Sequence, residues 1–162
     1  MVVCVFDNTL RSDVSAMKRI ILTVSVAFFL NFIWEILQVS LYAPHYVGIA
    51  GLIRVHLWAS LGDILLVGIA VAAGIFLEGC IFQGRQHIRR TMFFVGSAGF
   101  VLAVSVEKYA LMVGRWSYND SMPLIPWTQI GLTPVLQMIF IPIAVMMLVS
   151  KYDTRVKKVD NQ

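Results

Sequence analysis

The sequence predicts an all-α polytopic membrane protein, built as a bundle of four transmembrane helices, and three observations lead to this fold class. First, 59% of the 162 residues are hydrophobic and only 14% are charged, whereas soluble domains average about 25% charged residues. Second, four apolar runs are each long enough to cross a bilayer, which takes about 20 helical residues. Third, the basic residues are concentrated at alternate ends of these runs. A helix also bonds its backbone groups internally, as a bilayer requires.

The four runs cover residues 20–42, 57–77, 92–113 and 132–150. They divide the chain into a cytoplasmic N-terminal extension (1–17), a transmembrane domain (18–150) and a cytoplasmic basic tail (151–162). Lys18 and Arg19 before an apolar run also fit the start of a signal peptide. No small-residue cleavage site follows before Asn31, so we expect the first run to be retained as a helix.

The basic residues predict the orientation in the membrane. The links after the first and third runs contain only Arg54 and Arg115 as basic residues. Apart from Lys108 inside the third run, the others flank the opposite ends: Arg11, Lys18, Arg19, Arg85, Arg89, Arg90, Lys151, Arg155, Lys157 and Lys158. The excess of Lys and Arg in cytoplasmic loops therefore predicts that both termini and the middle link lie in the cytoplasm.

Polar residues interrupt the first run on one side. At about 100° per residue, Asn31, Glu35 and Gln38 fall within an arc of roughly 60°, with Trp34 at its edge. An ionised carboxylate costs roughly 2.5–3.5 kcal/mol at a bilayer centre on insertion scales, so this face must point away from lipid. We therefore expect it to line the interior of the bundle.

The other three runs each carry polar residues at a similar depth. The predicted orientation places the acids and Gln137 in the outer half of the bilayer, each about two turns or less from an outer helix end. On the third run, small residues in line with the acid predict a close packing face. The residues that share faces are His56, Ser60 and Asp63 on the second run, Gly96, Gly99, Ala103 and Glu107 on the third, and Thr133 and Gln137 on the fourth.

Three acids at one depth predict a functional pocket. A single polar residue in a membrane helix often just bonds to a neighbour, for about 0.6 kcal/mol. Three uncompensated carboxylates would instead cost roughly 8–10 kcal/mol, so some must be protonated, paired or hydrated. The segment 114–131 is rich in Trp, Tyr and Pro, and its Pro123 and Pro126 predict a stiff lid over this pocket. Trp residues there also suit the membrane interface.

Acid–base chemistry on a lipid-soluble substrate suits this apparatus. A carboxyl group in an apolar pocket can stay neutral and act as an acid, and a second acid can remove a proton or stabilise a carbocation beside aromatic rings. Cyclisation or double-bond isomerisation of an isoprenoid-like lipid fits these groups. The predicted catalytic residues are Glu35, Asp63 and Glu107. The predicted substrate-binding residues are Asn31, Trp34, Gln38, His56, Trp58, Arg115, Trp116, Tyr118 and Gln137.

Other functions stay open. A metal site could use the acids and His56, although the chain lacks Glu-x-x-His pairs and a His-Glu-x-x-His motif. Proton or solute translocation also uses intramembrane acids. A non-enzymatic accessory subunit could use its acids to bind a partner helix, as a homo-oligomer or within a larger membrane complex. We predict neither a cofactor nor a nucleic-acid partner, because no Gly-rich phosphate loop or Cys-x-x-Cys is present.

The polar motifs also carry a resemblance. The pattern Asn31-x-x-Trp34-Glu35-x-x-Gln38, with Asp63, Glu107 and Gly114-Arg115-Trp116-x-Tyr118 after it, resembles a group of small bacterial four-helix integral membrane proteins. That resemblance spans most of residues 18–150 and implies the fold and a location in the bacterial inner membrane, but no activity. More loosely, Trp34-Glu35 with a later acid is similar to the membrane-bound terpene cyclases of fungal meroterpenoid pathways and to small-subunit lycopene cyclases. This likeness implies that Glu35 with Glu107 or Asp63 protonates and deprotonates an isoprenoid.

Overall fold

Four long helices form the protein: α1 (Val2–Gln38), α2 (Gly48–Ile81), α3 (Ile88–Met112) and α4 (Leu132–Asp160). The computed structural model describes the backbone of residues 2–44, 46–82 and 87–160, and the side chains of residues 14–44, 46–82 and 87–154. Each helix contains a segment long and apolar enough to cross a membrane. The predicted four-helix transmembrane bundle is confirmed, and the chain is an integral membrane protein.

The helices extend beyond the apolar runs that predicted them at the start of α1, α2 and α3 and at the end of α2 and α4, whereas α1 ends at Gln38, before residue 42. The 37 residues of α1 and 34 of α2 span about 55 and 51 Å at 1.5 Å per residue, against about 30 Å of hydrocarbon. Residues 2–19 contain neither Pro nor Gly, so nothing in that stretch breaks α1 before the first apolar run. Hydropathy therefore located the membrane-embedded part of each helix and not its ends. The side chains of Cys4, Arg11 and Arg85, and those of the basic tail after Thr154, lie outside the described residues.

The distribution of polarity is that of a membrane bundle. Phe76 and Phe93 are each 69% exposed, whereas Asn31 and Ser60 are 0% exposed. Large apolar side chains point outward toward lipid, and the buried core is dominated by small or medium residues such as Ala27, Val67 and Val135. Water drives apolar groups inward, but lipid does not, so packing and hydrogen bonds hold this interior together.

Small residues bring α3 close to both of its neighbours. A Cβ on Gly74 of α2 would lie 2.5 Å from the Val95 side chain and 2.6 Å from its Cα. A Cβ on Gly99 would clash with the carbonyl oxygen of Met138 in α4. The predicted packing face of Gly96, Gly99, Ala103 and Glu107 is buried along its length. These contacts fix α3 between α2 and α4, and α1 packs against α2 and α4.

The connection between α3 and α4, residues 114–131, folds over one end of the bundle, and we call it the outer cap. Its Ser117 carbonyl accepts the Ala43 N–H at 3.0 Å, and its Asn119 N–H donates to the Leu41 carbonyl at 2.8 Å. A short hairpin follows, in which β1 (Leu124–Ile125) pairs antiparallel with β2 (Ile130–Gly131). Met122 and Ile130 are buried, and Ile130 joins the core cluster. The cap is therefore packed onto the helices and tied to the end of α1.

Candidate functional site

Six polar side chains form one hydrogen-bonded network inside the bundle. They come from α1, α2 and α4, and we call them the acid–amide network: Asn31, Glu35, Gln38, His56, Asp63 and Gln137. Asn31, Gln38, His56 and Gln137 are each at most 4% exposed. Two faces grouped by helical projection meet here. One carries Asn31, Glu35 and Gln38, and the other carries His56 and Asp63. The structure brings both of these acids together.

Gln137 is the centre of the network. Its side-chain nitrogen donates to Asn31 Oδ1 at 2.9 Å and to Asp63 Oδ2 at 3.0 Å, while its oxygen accepts from Gln38 Nε2 at 3.2 Å. Glu35 Oε1 lies 3.5 Å from the same nitrogen. An amide nitrogen carries two hydrogens, so three acceptors compete for them. Gln137 thereby links both acids from a third helix.

Glu35 faces His56 across the interface between α1 and α2. Glu35 Oε2 lies 3.1 Å from His56 Nδ1, and Glu35 Oε1 accepts a hydrogen bond from Gln38 Nε2 at 3.0 Å. The His56 side chain is 3% exposed and that of Glu35 is 13% exposed. At this distance the ring nitrogen and the carboxyl oxygen share a hydrogen bond, and the tautomer of the ring decides which of them donates.

Contacts one helical turn apart orient the amides of α1. Asn31 Nδ2 donates to the Ala27 carbonyl at 2.8 Å, which leaves its Oδ1 free to accept from Gln137. Trp34 Nε1 donates to Gln38 Oε1 at 3.1 Å, which turns the Gln38 nitrogen toward Glu35. The i,i+4 spacing of these residues is what places them over one another on the helix. The sequence motif therefore encodes the direction of each donor.

Glu107 lies in a second group, under the outer cap. Its Oε2 accepts a hydrogen bond from Trp116 Nε1 at 3.2 Å and another from the Tyr118 hydroxyl. The Tyr118 oxygen in turn accepts the N–H of Gly131, the last residue of β2, at 3.0 Å. No hydrogen bond or ion pair of the described residues joins Glu107 to Glu35. Glu107 thus holds the first part of the cap to the bundle, and Tyr118 links it to the end of the cap.

Tyr42 connects the two groups electrostatically. Its ring lies edge-on to those of Trp116 and Tyr118, with centroids 6.5 and 5.5 Å apart. Burial, followed by the negative charges of Glu107 and Glu35, raises the pKa of the Tyr42 phenol above its ordinary value. Burial and the hydrogen bond to Glu107 likewise raise the pKa of Tyr118. The raised pKa values favour the neutral form of both phenols, and the Tyr118 hydroxyl donates to Glu107.

The structure leaves two predicted substrate-binding residues outside these groups. Trp58 is 68% exposed, on the lipid-facing side of α2, because it lies about 160° around the helix from Ser60. Arg115 is exposed on the outer cap, with its guanidinium carbon 5.6 Å from the centroid of the Trp116 ring. Among the described residues, neither has a hydrogen bond or ion pair with an acid of the network. Trp58 and Arg115 therefore lie at the surface, and their assignment to substrate binding stays a prediction.

Sequence reasoning missed one buried acid, Glu78. It lies near the other end of α2, 1% exposed, where it accepts hydrogen bonds from the Thr91 hydroxyl and from the His87 N–H at 3.0 Å. Arg90 Nε lies 3.8 Å away. Glu78 follows Ser60 by about five helical turns and so falls on the same face. Extending the second run past residue 77 would have found it; its contacts join the end of α2 to the start of α3.

The fold and the site define an integral membrane four-helix bundle with an intramembrane acid–amide network. Within the described residues, no three His, Cys, Asp or Glu side chains converge as a set that could hold a metal ion. Comparison with protein-family models, with curated proteins and with solved structures finds no match to this chain. The geometry of the site itself is therefore the basis for assigning a function.

Proposed function

We propose that the acid–amide network carries out acid–base catalysis, a cyclisation or double-bond isomerisation, on an isoprenoid-like lipid within the membrane. The proposal rests on one observation: the side-chain amide of Gln137 contacts both Asp63 and Glu35, and Glu35 also faces His56. Two acids of separate helices, one paired with an imidazole, supply the donor and the acceptor that such a reaction needs.

The hydrogen-bond partners suggest a role for each acid. Among the described side chains, Asp63 receives one N–H donor, whereas Glu35 faces Gln38 and His56. Hydrogen-bond donors stabilise the charged form of a carboxyl group, so an acid that accepts few of them keeps its proton more readily. Asp63 is therefore the better candidate for the general acid. Glu35 with His56 then removes a proton from the substrate. Glu107 holds Trp116 and Tyr118, whose aromatic faces can stabilise a cation.

The reaction balances without a cofactor. Asp63 adds a proton to one carbon of a double bond, which leaves a carbocation on its neighbour. In isomerisation, loss of a proton from the next carbon to Glu35 forms the shifted double bond. In cyclisation, a second double bond attacks the cation before the proton is lost. Substrate and product then have the same formula, and the proton returns from the Glu35–His56 pair to Asp63.

This chemistry is tested by deuterium uptake. Membranes containing the wild-type protein are incubated in D2O, and their isoprenoid lipids are separated and analysed by mass spectrometry. We expect one lipid to be converted into a product that has a different chromatographic retention time and contains one deuterium atom. Asp63→Asn and Glu35→Gln should reduce that uptake by about a hundredfold or more, the usual contribution of general acid–base catalysis.

Asp120→Asn is the matched control, because Asp120 is an exposed acid of the outer cap outside both groups. It should leave deuterium uptake unchanged. Equal lipid profiles for wild type and Asp63→Asn, with no deuterium in either, would refute the catalytic proposal.

The orientation and assembly belong to the same proposal. The distribution of Lys and Arg supports insertion in a bacterial inner membrane with both termini cytoplasmic, which puts the outer cap on the opposite side. The substrate would then reach the acids from the outer leaflet. A homo-oligomer or a larger membrane complex is compatible with the broad apolar surface of the bundle.

A second candidate is a non-enzymatic accessory or binding protein, with a metal ion or a proton as its ligand. One observation favours it: the amides and acids of the network already satisfy one another, as in a structural core. Metal analysis of the purified protein separates the candidates, since a stoichiometric metal lost in Glu35→Gln would support the second one.

A further inference from the structure

A groove of about 640 Å³ lies on the lipid-facing side of α1 and α2, away from the acid–amide network. Its wall is apolar apart from one charged side chain, Arg54. The residues that line it are Phe28, Ala50, Ile53, Arg54, Leu57, Trp58 and Leu61. A groove with an apolar wall and a single cation matches a molecule with a hydrocarbon chain and an anionic group.

Arg54 has no counter-charge among the described side chains. Its guanidinium pairs with none of the carboxylates in the described part of the chain. A cation against apolar surface at a membrane boundary is costly unless an anion compensates it, and guanidinium matches phosphate oxygens in a two-pronged hydrogen bond. An anion bound from outside would supply the charge that the described side chains do not.

The depth of Arg54 agrees with a lipid phosphate. The 34-residue α2 is about 51 Å long, so about 10 Å of it extends beyond each side of a 30 Å hydrocarbon core if it is centred. Arg54 lies about 9 Å from the cap-side end of α2, at the boundary between headgroups and hydrocarbon. Trp58 follows one turn deeper and is exposed, as interfacial tryptophans are.

We propose that this groove binds an anionic phospholipid of the cap-side leaflet, with its phosphate on Arg54 and an acyl chain against Phe28, Leu57 and Leu61. The proposal is independent of the acid–base function, because none of the groove residues belongs to the acid–amide network. A zwitterionic lipid offers the same chain but no net negative charge. The bound lipid is therefore selected by its headgroup.

The test compares lipids with identical chains and different headgroups. The protein is reconstituted in nanodiscs of equal parts phosphatidylglycerol and phosphatidylcholine, and the lipids retained after mild detergent extraction are counted by native mass spectrometry. Wild type should retain phosphatidylglycerol preferentially. Arg54→Gln should lower that preference about tenfold, as expected for the loss of one charge-assisted hydrogen bond. Arg54→Lys should keep part of it.

Two control variants separate the groove from general charge effects. Arg115→Gln removes another exposed cation on the same side and should leave retention unchanged. Ala50→Phe fills the groove without touching the charge and should lower retention of both lipids. Equal retention of the two lipids by wild type, equal effects of Arg54→Gln and Arg115→Gln, or full retention by Ala50→Phe would each overturn the proposal.

Discussion

At the scale of single residues, Gln137 is the side chain on which the interior depends most. It is the one member of the acid–amide network that α4 supplies, and it contacts partners on both α1 and α2. Replacing Gln137 with an apolar residue would remove the two N–H donors that its side chain gives to Asn31 and Asp63. In a medium without water, those acceptors cannot be rehydrated easily.

We therefore expect Gln137→Leu to lower the free energy of unfolding by about 1–2 kcal/mol, the range for hydrogen bonds between membrane helices. Unfolding in a denaturing detergent, followed by circular dichroism, measures the change. Ser97→Ala is the control, because the exposed Ser97 hydroxyl donates to the Phe93 carbonyl of its own helix and to no other group of the described residues. A loss for Gln137→Leu no larger than for Ser97→Ala would mean that the network contributes little to stability.

The two tyrosines at the cap predict a dependence on alkaline pH. The raised pKa values of Tyr42 and Tyr118 mean that folding favours their protonated forms. Their contribution to stability is complete below the ordinary tyrosine pKa of about 10, and is lost as the pH rises through the raised values. The free energy of unfolding should therefore fall as the pH rises above about 10. The tyrosinate absorbance of these two residues should appear only at a pH above that at which ordinary tyrosines ionise. Tyr118→Phe should remove some of that late absorbance; an unchanged titration would contradict the prediction.

At the scale of the elements, glycine determines how closely the helices approach. The backbone of Val95 lies where a Cβ on Gly74 would be, so α2 and α3 can touch at this point only because the side chain is missing. Gly68 lies on the same helix but faces open space, with nothing within 4 Å of its Cβ position. The two positions make a matched pair for testing the interface.

Gly74→Ala should destabilise the bundle by about 1–3 kcal/mol, because the overpacked helices must move apart. Gly68→Ala should be neutral or slightly stabilising, since alanine favours the helix. Unfolding of both variants under the same conditions gives the comparison. If Gly74→Ala and Gly68→Ala behave alike, the close approach of α2 and α3 at Val95 is not a source of stability.

At the scale of the whole molecule, exposed apolar helices surround a polar interior, and the outer cap closes one end. The distribution of Lys and Arg predicts that the cap faces away from the cytoplasm. In intact spheroplasts, a membrane-impermeant maleimide should label Ser121→Cys on the cap and not His87→Cys near the other end, both in a background lacking Cys4 and Cys80. Both target positions are exposed. The reverse pattern would invert the predicted orientation.

The helical period of about 100° per residue was sufficient to predict, within each helix, which residues of the site share a face. The projections that grouped Asn31 with Glu35, His56 with Ser60, and Glu107 with Gly99 correspond to buried faces, because an α-helix repeats with a fixed angle per residue. Trp58 was assigned to the site for its aromatic character, although the same projection turns it toward lipid. Glu78 was missed because hydropathy ended the second run before the helix ends.

The four membrane helices and the polar face of each can be predicted from the sequence, since both follow from composition and local geometry. Which polar faces meet depends on the tertiary structure: Asp63 and Glu35 share Gln137, while Glu107 bonds to Trp116 and Tyr118 of the cap. The rotation and depth of one helix against another depend on contacts such as Gly99 on Met138. Those contacts lie between residues far apart in the chain, where no local pattern records them.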